Sequence, residues 1–170
     1  MKRHLDLLKW VLLPYFTVRA KRPINARAET VATSGMFKSV FARRRCLVPA
    51  DAFYEWKPIE GGKQPYAIAR LDGEPMAFAG LWEGFKWPDG TVLRTFTIIT
   101  TNANETGDEL HNRMPAIVAP QDWPTWLGEV EGDPATLLRP AGEDVLKFWP
   151  VSKQVNSPRN NGAELLEVVR

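Results

Sequence analysis

Apolar residues along the chain occur in short runs separated by Gly and Pro, a pattern typical of a β-rich domain. An apolar, strand-like run opens residues 5–16 and ends at Pro14. Further strands are predicted at residues 44–57, 65–71, 76–85 and 91–101, the last being the clearest of the chain. A Gly-Gly pair within residues 60–63 predicts a hairpin turn, and Asp72-Gly73 and Pro88-Asp89-Gly90 predict two more turns. We therefore expect the strands at 65–71, 76–85 and 91–101 to form a meander.

Helical spacing is found mainly in residues 29–42, where Val31, Phe37, Val40 and Phe41 fall on one side of a predicted helix that Gly35 weakens. Two short helices are predicted near residues 121–127 and 134–138, and a last strand at 145–152. This order of elements predicts an α+β fold with a mainly antiparallel curved sheet or barrel-like core and peripheral helices. We expect residues 1–170 to form a single domain.

Composition excludes several protein classes. Seven Trp and eight Phe among 170 residues can form a sizeable core, which excludes wholesale disorder. The apolar stretch near the N-terminus is far shorter than the ~20 residues of a membrane span, so we predict no membrane partner, and no secretory signal is visible. A single cysteine, Cys46, excludes an intrachain disulfide framework and a multi-cysteine zinc site. We expect a cytoplasmic protein with neither metal nor cofactor.

Charge is distributed unevenly along the chain. The net charge is +2, yet the first 45 residues carry 11 Lys and Arg against two Asp and Glu, and the other 125 carry 11 against 18. Such asymmetry is typical of a face that binds a polyanion, although a solvated basic face would have the same composition.

Two residues suggest proton transfer. His111 follows the strand at 91–101 and a polar turn, and histidine exchanges protons near neutral pH, although a structural role is common. Glu55 lies between Tyr54 and Trp56, and a carboxyl among aromatic rings loses hydration, so its pKa should rise as a general acid requires. An outward-facing strand glutamate is the alternative.

Polar and aromatic residues before position 30 suggest contacts with nucleic acid. Asn25 and Arg27 could donate to phosphate or a base edge, or belong to a loop that caps a helix. Phe16 beside Lys21 and Arg22 suits stacking on single-stranded nucleic acid, with core packing as the alternative. Cys46 lies in a strand-like segment and is expected to be a buried structural thiol rather than a nucleophile.

Several multi-residue motifs occur in a fixed order: NARAET, MFK, RRCLVPADAFYEWK, TTNAN and HNRMPAIV, followed by VSKQVNSPRNNGAEL. In this order they closely resemble the SOS-response-associated peptidase (SRAP) family from Leu5 onward. The resemblance implies a DNA-damage protein that binds single-stranded DNA and forms a covalent crosslink with abasic sites. It also implies an autopeptidase step that removes the initiator Met.

The resemblance implies a mechanism as well. The α-amine of an N-terminal cysteine forms a Schiff base with the ring-opened sugar aldehyde, and its thiol closes a thiazolidine. By position, Asn25 orients these groups, Glu55 transfers protons during ring opening and imine formation, and His111 is an acid–base group beside the sugar. Arg27 contacts a DNA phosphate, and Phe16 falls near an aromatic residue that wedges against the bases.

The beginning of the chain departs from the family pattern, because Met1 is followed by Lys2 rather than by Cys. Cys46 cannot replace that cysteine, since a thiazolidine needs a free α-amine on the same residue. We expect a late start, a truncation or a degenerate copy, in which an exposed sheet edge favours a homo-oligomer. The alternative function is non-covalent binding of single-stranded DNA.

Overall fold

The computed structural model describes residues 3–15 and 22–169 of the chain. Nine strands occur in these ranges: β1 (Lys9–Trp10), β2 (Asn25–Arg27), β3 (Arg45–Ala50), β4 (Phe53–Ile59), β5 (Gly62–Arg70), β6 (Met76–Lys86), β7 (Val92–Asn102), β8 (Arg113–Pro115) and β9 (Leu146–Pro150). The α-helices are short: α1 (Ala28–Val31), α2 (Lys38–Arg43), α3 (Glu105–Asp108) and α4 (Trp123–Leu127). Single 3₁₀ turns occupy Pro120–Asp122, Pro134–Leu137, Lys153–Asn156 and Ala163–Leu166.

The chain divides into two compact units, each built from three segments. Unit 1 comprises Met1–Val48, Ala77–Thr101 and Pro115–Arg139. Unit 2 comprises Pro49–Met76, Asn102–Met114 and Pro140–Arg170. Neither unit is continuous in sequence, so the contacts that hold each one together are largely long-range.

Unit 1 is built on a sheet in the order β1-β7-β6-β3, with β2 also paired to β7. Strands β6 and β7 are antiparallel, whereas β1 and β2 run parallel to β7. The core of the unit contains Trp126, which is fully buried. Its indole N–H donates to the Cys46 carbonyl at 2.8 Å, and its ring meets Phe41 edge-on at a centroid distance of 6.2 Å.

Unit 2 is built on the antiparallel sheet β4-β5-β9. The β4–β5 hairpin closes at Gly61, whose φ of +76° lies in the left-handed region that favours glycine. In this hairpin Glu55 lies opposite Tyr66, and Tyr66 in turn lies opposite Pro150 of β9.

The α+β class and the mainly antiparallel pairing are confirmed. The predicted turns at Gly61, Gly73 and Gly90 are confirmed by positive φ angles at all three glycines. Short helical segments follow at Trp123–Leu127 and Pro134–Leu137, and the last strand at Leu146–Pro150, close to their predicted positions.

Three expectations about elements were wrong. The predicted helix at 29–42 is two helices, α1 and α2, because the chain turns at residues 32–37 around Gly35, where glycine disfavours helix. The predicted meander fails at its first connection: β6 pairs with β7, whereas β5 pairs with β4 and β9 in the other sheet. Within residues 5–15 only Lys9–Trp10 is a strand. No helix in residues 3–15 or 22–169 is long and apolar enough to cross a membrane.

Candidate active site

Glu55 lies in the middle of β4 and faces the same side of the sheet as Phe53 and Lys57, since alternate residues of a strand share a face. The neighbouring Trp56 points to the opposite side, where its indole N–H donates to Asn156 Oδ1 at 2.7 Å. The Glu55 side chain is half-buried rather than turned fully into solvent.

The segment that carries His111 is tied to this strand by an ion pair. Lys57 Nζ, two residues after Glu55, donates to Glu109 Oε2 at 3.1 Å, and Glu109 lies two residues before His111. Both side chains are substantially exposed, so the pair contributes at most ~1 kcal/mol to stability. The pair shows that the His111 segment lies beside the Glu55 face of the sheet.

Burial raises the pKa of the Glu55 carboxyl above its ordinary value. The nearby His111, the backbone N–H of Trp56 and Lys63 each act in the opposite direction, and burial outweighs them. The rise in pKa thus comes from burial of the carboxyl, and Glu55 is close enough to His111 for the two side chains to interact electrostatically.

His111 is exposed, and its imidazole is oriented by the backbone of Arg113. The Arg113 N–H donates to Nδ1 at 3.1 Å, and the Arg113 carbonyl lies 3.3 Å from the same nitrogen. A neutral ring can accept from the N–H, and a ring protonated at Nδ1 can donate to the carbonyl. The same backbone contact thus supports both protonation states and leaves Nε2 directed away from it.

The turn before His111 is held by two acceptors. Asn104 caps α3, since its Oδ1 accepts from the Gly107 N–H at 2.9 Å. Glu143 accepts from the Glu105 N–H at 2.7 Å, the Thr106 N–H at 3.1 Å and the Thr106 hydroxyl at 2.8 Å. The Thr106 bonds hold the pKa of Glu143 below its ordinary value, so the carboxyl is ionised at neutral pH.

Three other predicted site residues, Asn25, Arg27 and Arg22, belong to unit 1. Asn25 and Arg27 are exposed residues of β2, in register with Ile98 and Thr100 of β7, and α1 begins directly after Arg27. Arg22 is exposed. Phe16 and Lys21 lie outside the described residues. The structure therefore brings Glu55 and His111 together in unit 2, and Asn25 and Arg27 together in unit 1.

Cys46 lies in β3 of unit 1, where burial raises the pKa of its thiol to about 12. The thiol is protonated at neutral pH and is a poor nucleophile in that state, which agrees with the expected structural role.

Several residues of the candidate site had no signal of their own in the sequence. Arg113 Nη1 donates to Asn102 Oδ1 at 2.8 Å. Asn102 lies in the motif TTNAN and Arg113 in the motif HNRMP, but the motifs do not predict that these two side chains are in contact. Glu109 and Glu143 lie in no motif, and only folding brings each to its partner. Among the described residues, no group of three or more His, Cys, Asp or Glu side chains could hold a metal ion.

Comparison with protein families gives one match over most of the chain. The model of the SOS response associated peptidase (SRAP) family matches residues 1–158. The chain belongs to the SRAP family. This SRAP chain is 40% identical to the abasic site processing protein YoqW of Bacillus subtilis over 96% of its own length and 76% of that protein. It is 33% identical to the abasic site processing protein YedK of Escherichia coli, over 98% of this chain and 76% of that protein.

Solved structures agree with this assignment. A crystal structure of a protein from Bacteroides thetaiotaomicron superposes on this SRAP chain with a TM-score of 0.86 and 25% identity, covering 96% of this chain and 76% of the other. One from Bordetella bronchiseptica superposes with a TM-score of 0.76 and 27% identity, covering 85% of this chain and 76% of the other. The fold is thus that of known structures over nearly the whole chain.

Proposed function

We propose that this SRAP protein binds single-stranded DNA and processes abasic sites in it, with Glu55 and His111 as its acid–base pair. The observation that supports this most directly is the half-buried Glu55 carboxyl, whose raised pKa and proximity to His111 suit proton transfer. Relatives named abasic site processing proteins, at 40% and 33% identity, support the choice of substrate.

The chemistry begins at the ring-opened abasic sugar, which carries an aldehyde at C1′. A primary amine of the protein adds through its nitrogen lone pair to C1′, and the carbonyl π electrons move to oxygen. Proton transfer then gives a carbinolamine. Loss of the hydroxyl as water then leaves an imine. In that step the His111 imidazolium gives its Nε2 proton to the departing hydroxyl, and the Glu55 carboxylate takes the proton from nitrogen.

The contacts of the two residues match these roles. After His111 gives up its Nε2 proton, the neutral ring keeps its proton on Nδ1, which then donates to the Arg113 carbonyl at 3.3 Å instead of accepting from the Arg113 N–H at 3.1 Å. A carboxylate whose pKa lies nearer neutrality is a stronger base than an ordinary glutamate, which suits Glu55. Asn25 and Arg27 are assigned to binding, the first to the sugar and the second to a phosphate.

The stable thiazolidine of the family needs an amine and a thiol on one residue. Cys46, the single cysteine of the 170 residues, is internal and has no free α-amine. Cys46 therefore cannot form a thiazolidine, and we propose that capture through an amine of residues 1–170 gives an imine, which hydrolyses unless it is reduced.

The test uses single-stranded DNA with one abasic site, mixed with the chain with or without borohydride and run on a denaturing gel. We expect a shifted band only with borohydride, and a much weaker band for Glu55→Gln. Glu60→Gln is the matched control, because Glu60 is an exposed glutamate of the β4–β5 turn. A band that survives heating without reductant would contradict our account of the thiol.

Binding and chemistry are separated by a second pair of measurements. Glu55→Gln should leave affinity for undamaged single-stranded DNA almost unchanged, whereas Arg27→Ala should weaken it and reduce its salt dependence by about one unit of slope. Equal losses of affinity in the two variants would refute this division of roles.

A second candidate function is non-covalent binding of single-stranded DNA. It is favoured by the Cys46 thiol, whose pKa of about 12 leaves it protonated, and by the exposed positions of Asn25 and Arg27. Intact binding on a native gel, without any trapped band, would select this function. The cytoplasmic setting of either function is a proposal from the sequence.

A further inference from the structure

One end of the unit 1 sheet carries a partly exposed aromatic cluster with no role in the chemistry above. Phe96 of β7 lies beside Trp10 of β1 and Trp82 of β6, in register with both. Because directly paired residues share a face, the three rings lie on the same side of the sheet. The Trp10 and Phe96 rings are stacked, with an interplanar angle of 15° and a centroid distance of 6.2 Å. We call Trp10, Phe96 and Trp82 the aromatic platform.

Around Phe96 the polarity of β7 is the reverse of what solvation alone would favour, whereas Ile98, the next residue on the same face, is buried. Thr95 and Thr97, on the other face of the strand, are fully buried. Phe96, between them, is partly exposed, and Trp10 is 51% exposed. Polar side chains inside and large rings outside are unusual on a sheet that packs only against its own core. The platform is therefore suited to contact with a partner.

Charge indicates which partner. Among the described residues, unit 1 carries 11 Lys and Arg against 8 Asp and Glu, whereas unit 2 carries 7 against 12. The Arg44 guanidinium lies 5.6 Å from the centre of the Trp82 ring, and Arg94 follows Phe96 along the same face of β7. Carboxylates of Glu83 and Asp6 bond these two arginines, so the further positive charge must come from other residues.

That charge is supplied by β2 on the same face. Arg27 is in register with Thr100 and Asn25 with Ile98, the positions of β7 that follow Phe96 at the two-residue repeat of a strand. Among the described residues no acidic side chain forms an ion pair with Arg27. Rings that can stack on bases and a cation that can meet a phosphate thus follow one another along β7.

We propose that the aromatic platform stacks on unpaired bases of single-stranded DNA, and that a phosphate of the same strand contacts Arg27. This proposal rests on the proposed function and adds a second part to the DNA-binding surface. Binding there should not depend on base sequence, because every base has a π face. Paired bases are already stacked within a duplex, so duplex DNA should gain nothing from the platform.

The experiment measures fluorescence anisotropy of a labelled undamaged oligo-dT strand at several salt concentrations. We expect Trp10→Leu to weaken binding about tenfold without changing the salt slope, because the phosphate contacts remain. Trp10→Phe should restore most of the affinity, although it loses the bond from the indole N–H to the Ile24 carbonyl, 2.8 Å in the parent. Rescue by a ring that lacks this bond separates stacking from a structural role.

Trp87→Leu is the matched control, since Trp87 follows β6 in the same unit and packs against Phe85. It should bind like the parent. Parent-like affinity in Trp10→Leu, failure of Trp10→Phe to rescue, or equal affinity of the parent for duplex and single-stranded DNA would each overturn the platform. If the parent bound no DNA at all, the proposed function would fail together with it, whereas the other outcomes refute the platform alone.

Discussion

Removing the partner of a buried carboxylate should destabilise unit 1 strongly. Glu83 is 1% exposed, and its carboxylate is bonded by the Arg44 guanidinium and by the Gly84 N–H at 2.9 Å. Arg44→Met would leave that charge buried with only the backbone bond. Breaking a buried pair from one side costs about 3–5 kcal/mol, and since 40% of the Arg44 side chain is exposed we expect the lower end, about 3 kcal/mol. For a chain of this length that corresponds to a fall in Tm of roughly 6–12 °C.

Thermal unfolding followed by circular dichroism measures this loss. Arg43→Met is the matched control, because Arg43 is the exposed neighbour in the last turn of α2, and it should unfold close to the parent temperature. The double variant Arg44→Met/Glu83→Gln should recover most of the loss, since no buried charge then remains unpaired. Equal unfolding temperatures for Arg43→Met and Arg44→Met would refute the reasoning.

Three further predictions concern single side chains. Burial raises the pKa of Glu55 in the folded state above its unfolded value, so ionisation of Glu55 destabilises the fold. This destabilisation is absent at low pH, where the carboxyl is protonated in both states, and it grows as the pH rises. Urea unfolding should therefore show Glu55→Gln becoming more stable relative to the parent between pH 4 and pH 7, and a constant difference would contradict this. Glu143→Ala removes the acceptor of the Thr106 N–H and should speed hydrogen exchange at Thr106 roughly fivefold, whereas unchanged exchange would show that the carboxylate bonds are dispensable. Cys46, with a thiol pKa of about 12, should react with a disulfide reagent at pH 8 roughly a thousandfold more slowly than a free cysteine, until the chain is unfolded; rapid labelling of the folded protein would disprove its burial.

Local chemistry explains which elements could be predicted from the sequence. Turns at Gly61, Gly73 and Gly90 need a positive φ that glycine adopts at little cost, so a few neighbouring residues were enough to indicate them. The strand at Val92–Asn102 was evident from its own composition. The helix predicted at 29–42 is interrupted between Val31 and Lys38, because the low helix propensity of Gly35 outweighs the apolar spacing.

Strand pairing is where the sequence was insufficient. Two consecutive strands joined by a tight turn usually pair, yet β5 and β6 belong to different sheets. The strand that pairs with the free edge of β5 is β9, which begins 76 residues after the last residue of β5, at Leu146. Nothing in the residues around Asp72-Gly73 encodes that distant partner, so only the tertiary structure decides it.

The candidate site divides in the same way. Residue types and motif order singled out Glu55, His111, Asn25 and Arg27, because acid–base and phosphate-binding groups can be recognised from their chemistry alone. The raised pKa of Glu55, in contrast, depends on burial and on the proximity of His111, a residue 56 positions away. Both are properties of packing.

Only the folded chain also distinguishes residues of one type. Arg43 and Arg44 are adjacent and chemically identical, but Arg43 is exposed, whereas Arg44 lies over Trp82 and bonds the buried Glu83. The sequence by itself determined the fold class, the turns and the candidate chemistry, since these depend on residue type and short-range pattern. The tertiary structure decided strand partners, burial and charge pairing, since these depend on which distant segments meet.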